Sequence, residues 1–140
     1  SDVAVPSLCP AEVGDVLCAD HLLLERAAFG VPHPVKGQAL VVFAIARKNV
    51  TAQPTEAGIK RMVADALGRY AMPETVYLVP DLPRTRSGKI VRRLLRKIAS
   101  GEIENFGDLS TLTDQEIVQT ICNFAQEKHG MGSTPLILQA

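Results

Sequence analysis

Apolar residues change their spacing several times along this chain, and each change marks an element. After Pro10, the residues Ala11, Val13, Val16 and Leu17 fall on one side of a helix running to about Ala19, with proline in the favourable first turn. Residues 1–9 contain Pro6, show no helical period and read as an extended lead-in. The run LLLERAAFGV, closed by Pro32 and Pro34, predicts a strand over residues 25–31. Gly37 restarts the chain, and QALVVFAIARK predicts a second strand whose β-branched and aromatic content suits a sheet buried on both faces. Residues 30–37 are then the link of a hairpin with a wide loop. His33, between two prolines, is a turn residue there rather than a catalyst.

From Thr55 the period becomes helical. Ile59, Met62, Val63, Ala66 and Leu67 recur at three and four residues, predicting an amphipathic helix over 55–70 with Thr55 as its cap and Gly68 weakening its last turn. Pro73 forces a break, and ETVYLV predicts a third strand ending at Pro80. Pro83, Thr85, Ser87 and Gly88 mark a loop; Ile90, Val91, Leu94, Leu95 and Ile98 resume helical spacing and put Lys89 at the junction. Gly101 stops that helix. Residues 102–116 carry Glu102, Glu104, Asp108, Asp114 and Glu116 without Lys or Arg, an acidic tail able to fold back on the basic helix. A last helix is predicted over 114–128, with Ile117, Val118, Ile121, Phe124 and Ala125 on its apolar face, and 130–140 is loose or bound to something outside the chain. The order predicts an α+β fold: a small three-stranded sheet packed by helices, with an extended, partly helical C-terminal tail.

Composition narrows the function classes. At 140 residues with 46% hydrophobic and 4% aromatic content, a core of Leu, Val, Ile and Ala is feasible without staples. Formal net charge is zero, so electropositive surface must be local. It is concentrated in residues 81–98, which hold Arg84, Arg86, Lys89, Arg92, Arg93, Arg96 and Lys97, seven of the fifteen basic residues. Cys9, Cys18 and Cys122 form no CxxC pair and lack a nearby His at ligand spacing; no metal site is expected, and the thiols read as small hydrophobes of a reducing compartment. No apolar run reaches the ~18 residues of a membrane span, and the first residues show no leader pattern. A cytoplasmic chain, with no membrane partner, is the expectation.

The basic loop admits few chemistries. In a Walker-type phosphate loop Pro83 would occupy the first glycine's place and Ile90 would follow the lysine, so cradle and magnesium hydroxyl are both missing. What remains is one lysine on a glycine-containing loop at a helix start, able to meet an oxyanion, with a charge whose effect rises as water is excluded. The chain itself offers no nucleotide pocket, which puts the substrate on another body. Arg92, Arg93, Arg96 and Lys97 read as a solvated face or a docking surface. Two alternatives stay open: a non-catalytic basic-helix module binding an acidic surface or nucleic acid, and a degenerate regulatory relative. Against nucleic acid stand the neutral whole and the absence of interleaved aromatics.

The segments PAEVGDVL, AAFGVPHPVKGQALVVFAIARK, ALGRYAMPETVYLVPDLPRTRSGKIVRRLLRKIASGE and GDLSTL together resemble the C-terminal domain of AMP-forming acyl-CoA synthetases, on the acetyl-CoA synthetase side. The resemblance implies a lid domain over 10–101, preceded by a hinge remnant (1–9, with Asp2 as hinge) and followed by the acidic tail (102–140). It implies a two-step ligation, in which a carboxylate attacks ATP to give an acyl-adenylate and CoA then displaces AMP. The catalytic lysine is then Lys89, supported by Thr85, Arg86, Ser87 and Gly88, and Lys89 is the expected target of reversible acetylation by a lysine acetyltransferase and deacetylase. Ala11, Glu12 and Arg61 fall on the CoA side, Arg61 replacing a family arginine whose place is taken by Ala64. The lead-in departs from the family: Val5, Ser7, Cys9 and Gly14 stand where relatives carry glycine, arginine, glycine and an acidic residue. ATP, Mg2+ and the acyl group would be held by an N-terminal adenylation domain, as a partner body outside these 140 residues. The chain is then a fragment or a stand-alone remnant, inactive by itself.

Overall fold

A computed structural model describes residues 9–48 and 52–128; Asp2 and residues 130–140 lie outside the described residues. The elements run α1 (Pro10–Cys18), β1 (Leu23–His33), β2 (Gly37–Ala46), α2 (Glu56–Leu67), β3 (Thr75–Leu78), α3 (Arg92–Ala99) and α4 (Glu116–Lys128). They fall into two compact units that divide between Leu78 and Val79. The α+β architecture, with its three-stranded sheet, is the one the sequence predicts.

The first unit is built on β2, the central strand of the order β1-β2-β3. β1 pairs with it antiparallel, Phe29 opposite Val41 and His33 opposite Gly37, and β3 pairs parallel, Val42 opposite Val76. A central strand must satisfy both faces with apolar side chains, and Ala39 through Ile45 are all buried. Leu40, Val42 and Ala44 point to one face, where Val13 and Leu17 of α1 and Ile59 and Val63 of α2 complete a core. On the other face Phe43 meets Phe29 edge-on at 6.0 Å and stacks on Tyr77 at 5.2 Å. Each such side chain contributes about 1.5–3 kcal/mol on burial, so this strand anchors the unit.

Local chemistry sets the boundaries, in places differently from the periodicity. β1 extends beyond residues 25–31, and the wide hairpin loop expected at 30–37 is instead a tight turn over 34–36. His33 closes that turn: its Nδ1 accepts from the backbone N–H of Val35 (3.1 Å) and Lys36 (3.0 Å). Thr55 caps α2 by accepting from Gly58 N–H at 3.0 Å. Glu56, in the first turn, accepts from Val76 N–H at 3.0 Å and so ties the helix start to β3. α2 ends at Leu67, short of residue 70, because Gly68 adopts φ +105° and breaks the helical run; a single 3-10 turn, Arg69–Ala71, follows.

In the second unit α3 starts at Arg92, two residues later than the apolar spacing suggests, since the backbone of Ile90 and Val91 is already engaged in extended pairing. Leu94, Leu95 and Ile98 are its buried stripe. α4 buries Ile117, Val118, Ile121, Cys122 and Ala125, whereas Phe124, expected inside, is 38% exposed. Cys122 takes that place four residues after Val118, and burial pushes its thiol pKa up, as suits a packing residue.

Candidate functional site

The basic loop is a small hairpin. Its stem is the antiparallel bridge between Arg84 and Ile90, with Val91 N–H donating to Pro83 C=O at 2.9 Å. Its tip closes through Thr85 N–H to Lys89 C=O (2.9 Å) and Gly88 N–H to Thr85 C=O (2.8 Å). Gly88 takes φ +88°, a conformation open to glycine at little cost. The Thr85 hydroxyl meets the Ser87 hydroxyl at 2.9 Å and accepts from Lys89 N–H at 3.3 Å. At the base, Asp81 accepts from Leu82 N–H (2.7 Å) and from Arg84 Nε (3.1 Å). Small hydroxyl residues and one glycine thus make a turn that closes on its own backbone.

Arg86, Ser87, Gly88 and Lys89 are all exposed, Thr85 half-buried. Lys89 therefore sits on the hairpin that leads into α3, with two residues, Ile90 and Val91, between it and Arg92, where the helix begins. A lysine so placed presents a mobile charge on a fixed stem. It can meet an oxyanion brought to it.

The other expected residues lie in the first unit. Ala11 and Glu12 are exposed in the first turn of α1, and Arg61 is exposed on α2, where it lines a shallow depression with Gly58, Met62, Asp65 and Ala66. A second depression of about 360 Å3, lined by Lys36, Lys60, Arg69, Tyr70 and Glu74 among others, was not foreseen. Within it Lys36 holds Glu74 at 2.9 Å, and that hydrogen bond lowers the Glu74 pKa. Neither depression includes Lys89, so an enclosed pocket around the lysine is not found in them. Among the described residues no cluster of His, Cys, Asp and Glu could hold a metal ion, and no helix is long and apolar enough to cross a membrane.

Part of the basic face is engaged internally. Arg93 donates from Nη1 to Phe106 C=O at 2.7 Å and from Nη2 to Asp108 C=O at 3.3 Å, and Lys97 pairs with Glu102 at 3.1 Å. The tail does fold back, but through its carbonyls as much as its carboxylates. It also reaches the hairpin: Thr85 forms an antiparallel bridge with Leu112, and Thr113 N–H donates to Arg84 C=O at 2.9 Å. Sequence reasoning had no signal for this pairing beyond the opposite charge of the two segments.

The chain is similar to known proteins. Acetyl-coenzyme A synthetase 2 of Pseudomonas putida is 44% identical over 110 residues, 78% of this chain and 17% of its own length. Acetyl-coenzyme A synthetase of Drosophila melanogaster is 45% identical over 112 residues, 79% of this chain and 17% of its own. Among solved structures, a Brucella canis acyl-CoA synthetase superposes with TM-score 0.55 at 32% identity, covering 63% of this chain and 16% of that one. The chain thus spans about a sixth of the length of the relatives it matches. The description that matches residues 12–89, reaching from the first turn of α1 to Lys89 itself, is the AMP-binding enzyme C-terminal domain, and it is to this family that the chain belongs.

Proposed function

We propose that the chain is the mobile C-terminal domain of an AMP-forming acyl-CoA synthetase of the acetyl-CoA synthetase kind. It supplies Lys89 to the adenylation step and closes the site for the attack of CoA. The observation that carries this reading is an exposed lysine on a hairpin closed by its own backbone, at the end of the matched family segment. A charge that must reach a substrate on another body has to be accessible, while its stem has to be ordered enough to aim it.

In the first half-reaction a carboxylate oxygen attacks the α-phosphorus of ATP, the acyl-phosphate bond forms and pyrophosphate leaves. Lys89 Nζ places positive charge beside the carboxylate and the phosphate oxygens, where negative charge must be brought together. Thr85, Arg86, Ser87 and Gly88 hold the hairpin that carries it. ATP and Mg2+ are bound by an N-terminal adenylation domain, Asp2 serves as hinge, and the surface of Ala11, Glu12 and Arg61 faces CoA in the second half-reaction. Acetylation of Lys89 by a lysine acetyltransferase would remove the charge and a deacetylase would restore it. The setting is cytoplasmic.

A basic-helix docking module is less favoured, since Arg93 and Lys97 already hold the chain's own tail. The test is Lys89→Ala in the chain joined to its adenylation domain. Carboxylate-dependent pyrophosphate exchange should fall by about 10²-fold or more, as for loss of a charge stabilising a transition state, with a smaller effect on thioester formation from supplied adenylate. Unchanged exchange refutes the assignment of Lys89.

A further inference from the structure

The tail beyond residue 101 is outside the matched family segment, which ends at Lys89, yet it is bonded to the hairpin that bears this lysine. From that geometry we infer that Arg93 is a positioning residue for Lys89: it clamps the tail loop at residues 106–108, and the clamped tail braces the hairpin stem. The inference rests on the adenylation reading above.

Three observations join into one path. The first is the forked contact of Arg93 with two carbonyls, Phe106 at 2.7 Å and Asp108 at 3.3 Å. A planar guanidinium fixes two acceptors at once, which an ammonium cannot do. The second is that the clamped loop has little stiffness of its own. Asn105 adopts φ +59° and Gly107 φ +79°, so its path is costly for an L-residue at one position and entropically costly at the other, and it needs external bonds to persist. The third is what the loop leads into. Leu109 accepts from Leu112 N–H at 3.0 Å, Leu112 is buried and bridges Thr85, and Thr113 N–H reaches Arg84 C=O at 2.9 Å.

Arg84 and Thr85 are the strand of the hairpin opposite Lys89 and Ile90. Thr85 is therefore held on both sides, by Lys89 across the hairpin and by the tail. An isolated two-stranded hairpin is marginal in water, and a third strand gives it independent order. The tail adds a third pairing segment of this kind, through the Thr85–Leu112 bridge and the Thr113 N–H to Arg84 C=O hydrogen bond. Asp108 adds a local lock, accepting from Ser110 N–H at 2.9 Å; that hydrogen bond lowers its carboxyl pKa and helps shape the turn into Leu112.

The experiment has two arms. In the first, amide exchange is followed in the 140-residue chain for the parent, Arg93→Ala and Arg93→Lys. Loss of the clamp should raise exchange at Thr113 and Thr85 about five- to tenfold, the scale of one net hydrogen bond, with Val42 and Phe43 of the first unit unchanged. Lysine should restore less than half of the protection, because it cannot fork. In the second arm, pyrophosphate exchange is measured on the chain joined to its adenylation domain. Arg93→Ala should lower kcat about tenfold or more while KM for ATP stays within about twofold, since misaiming a catalytic group costs rate and not nucleotide binding.

Protection at Thr113 and Thr85 unchanged in Arg93→Ala overturns the inference, as does a variant with altered exchange and full kcat where Lys89→Ala is inactive. Unfolding of the whole second unit would appear as lost protection at Ile121 of α4; Arg93→Lys then decides, and full activity with lost hairpin protection also overturns it. If Lys89→Ala itself leaves pyrophosphate exchange intact, the adenylation reading has failed and the brace is judged by the first arm alone.

Discussion

Gly88→Ala isolates backbone conformation from packing at the hairpin of the candidate site. A Cβ at this position would meet nothing within 4 Å, so the methyl group needs no space that is already taken. What it meets is the torsion: at φ +88° an L-residue is disfavoured by about 1–2 kcal/mol. The hairpin tip is closed by two backbone hydrogen bonds, Gly88 N–H to Thr85 C=O and Thr85 N–H to Lys89 C=O, and strain there can be relieved by opening them. The expected result is a destabilisation of about 1 kcal/mol in urea unfolding and exchange at Gly88 and Thr85 faster by about five- to thirtyfold. Gly14→Ala is the control, because it sits in α1 with open space and an ordinary φ and should stabilise by about 0.5–1 kcal/mol. Gly88→Asn should fall between alanine and the parent, since asparagine tolerates positive φ better. If Gly88→Ala is as stable and as protected as the parent, the left-handed turn is absent in solution and the account of how Lys89 is presented fails.

Leu40→Ala, at a side chain 1% exposed in the centre of the first unit's core, should cost about 2–5 kcal/mol in denaturant unfolding, and a loss below ~1 kcal/mol would mean that β2 is not the core strand. Tyr77, buried beside its cross-strand partner Phe43, has its pKa pushed up from 10.0 to about 12, first by burial and second by Glu56. Its folded form holds the proton longer than the unfolded chain, so the linked stability is complete below pH 10, is lost as pH rises towards about 12, and amounts to about 2–3 kcal/mol. Tyr77→Phe should flatten that alkaline loss relative to the parent, measured by unfolding at pH 9 to 12, and an unchanged slope would refute the assignment.

Much of the fold was legible from short-range rules. The helices around Val13 and Leu17 and around Ile59 and Val63 announce themselves by period, Thr55 by its capping chemistry, and β2 by an unbroken apolar run. The misjudged boundaries share a cause: at each one a specific hydrogen bond or torsion outweighed the apolar pattern. His33 tightened the turn after β1, Gly68 stopped α2, and the pairing of Ile90 and Val91 delayed α3 although their side chains continue the helical stripe. Phe124 was placed inside by periodicity, but a helical stripe specifies a face only to within about one residue, and Cys122 filled it.

The candidate site divides in the same way. Sequence by itself determined that one lysine would stand on a glycine-containing loop among basic residues, and that the central strand would be buried on both faces. These follow from residue identity and near neighbours. Only the tertiary structure decided that the lysine's loop closes as a hairpin, and that residues more than twenty positions downstream complete it through Leu112 and Thr113. Such bonds join backbone groups that every residue carries, so composition and period hold no record of them; they become visible when the chain has folded and each N–H has found its carbonyl.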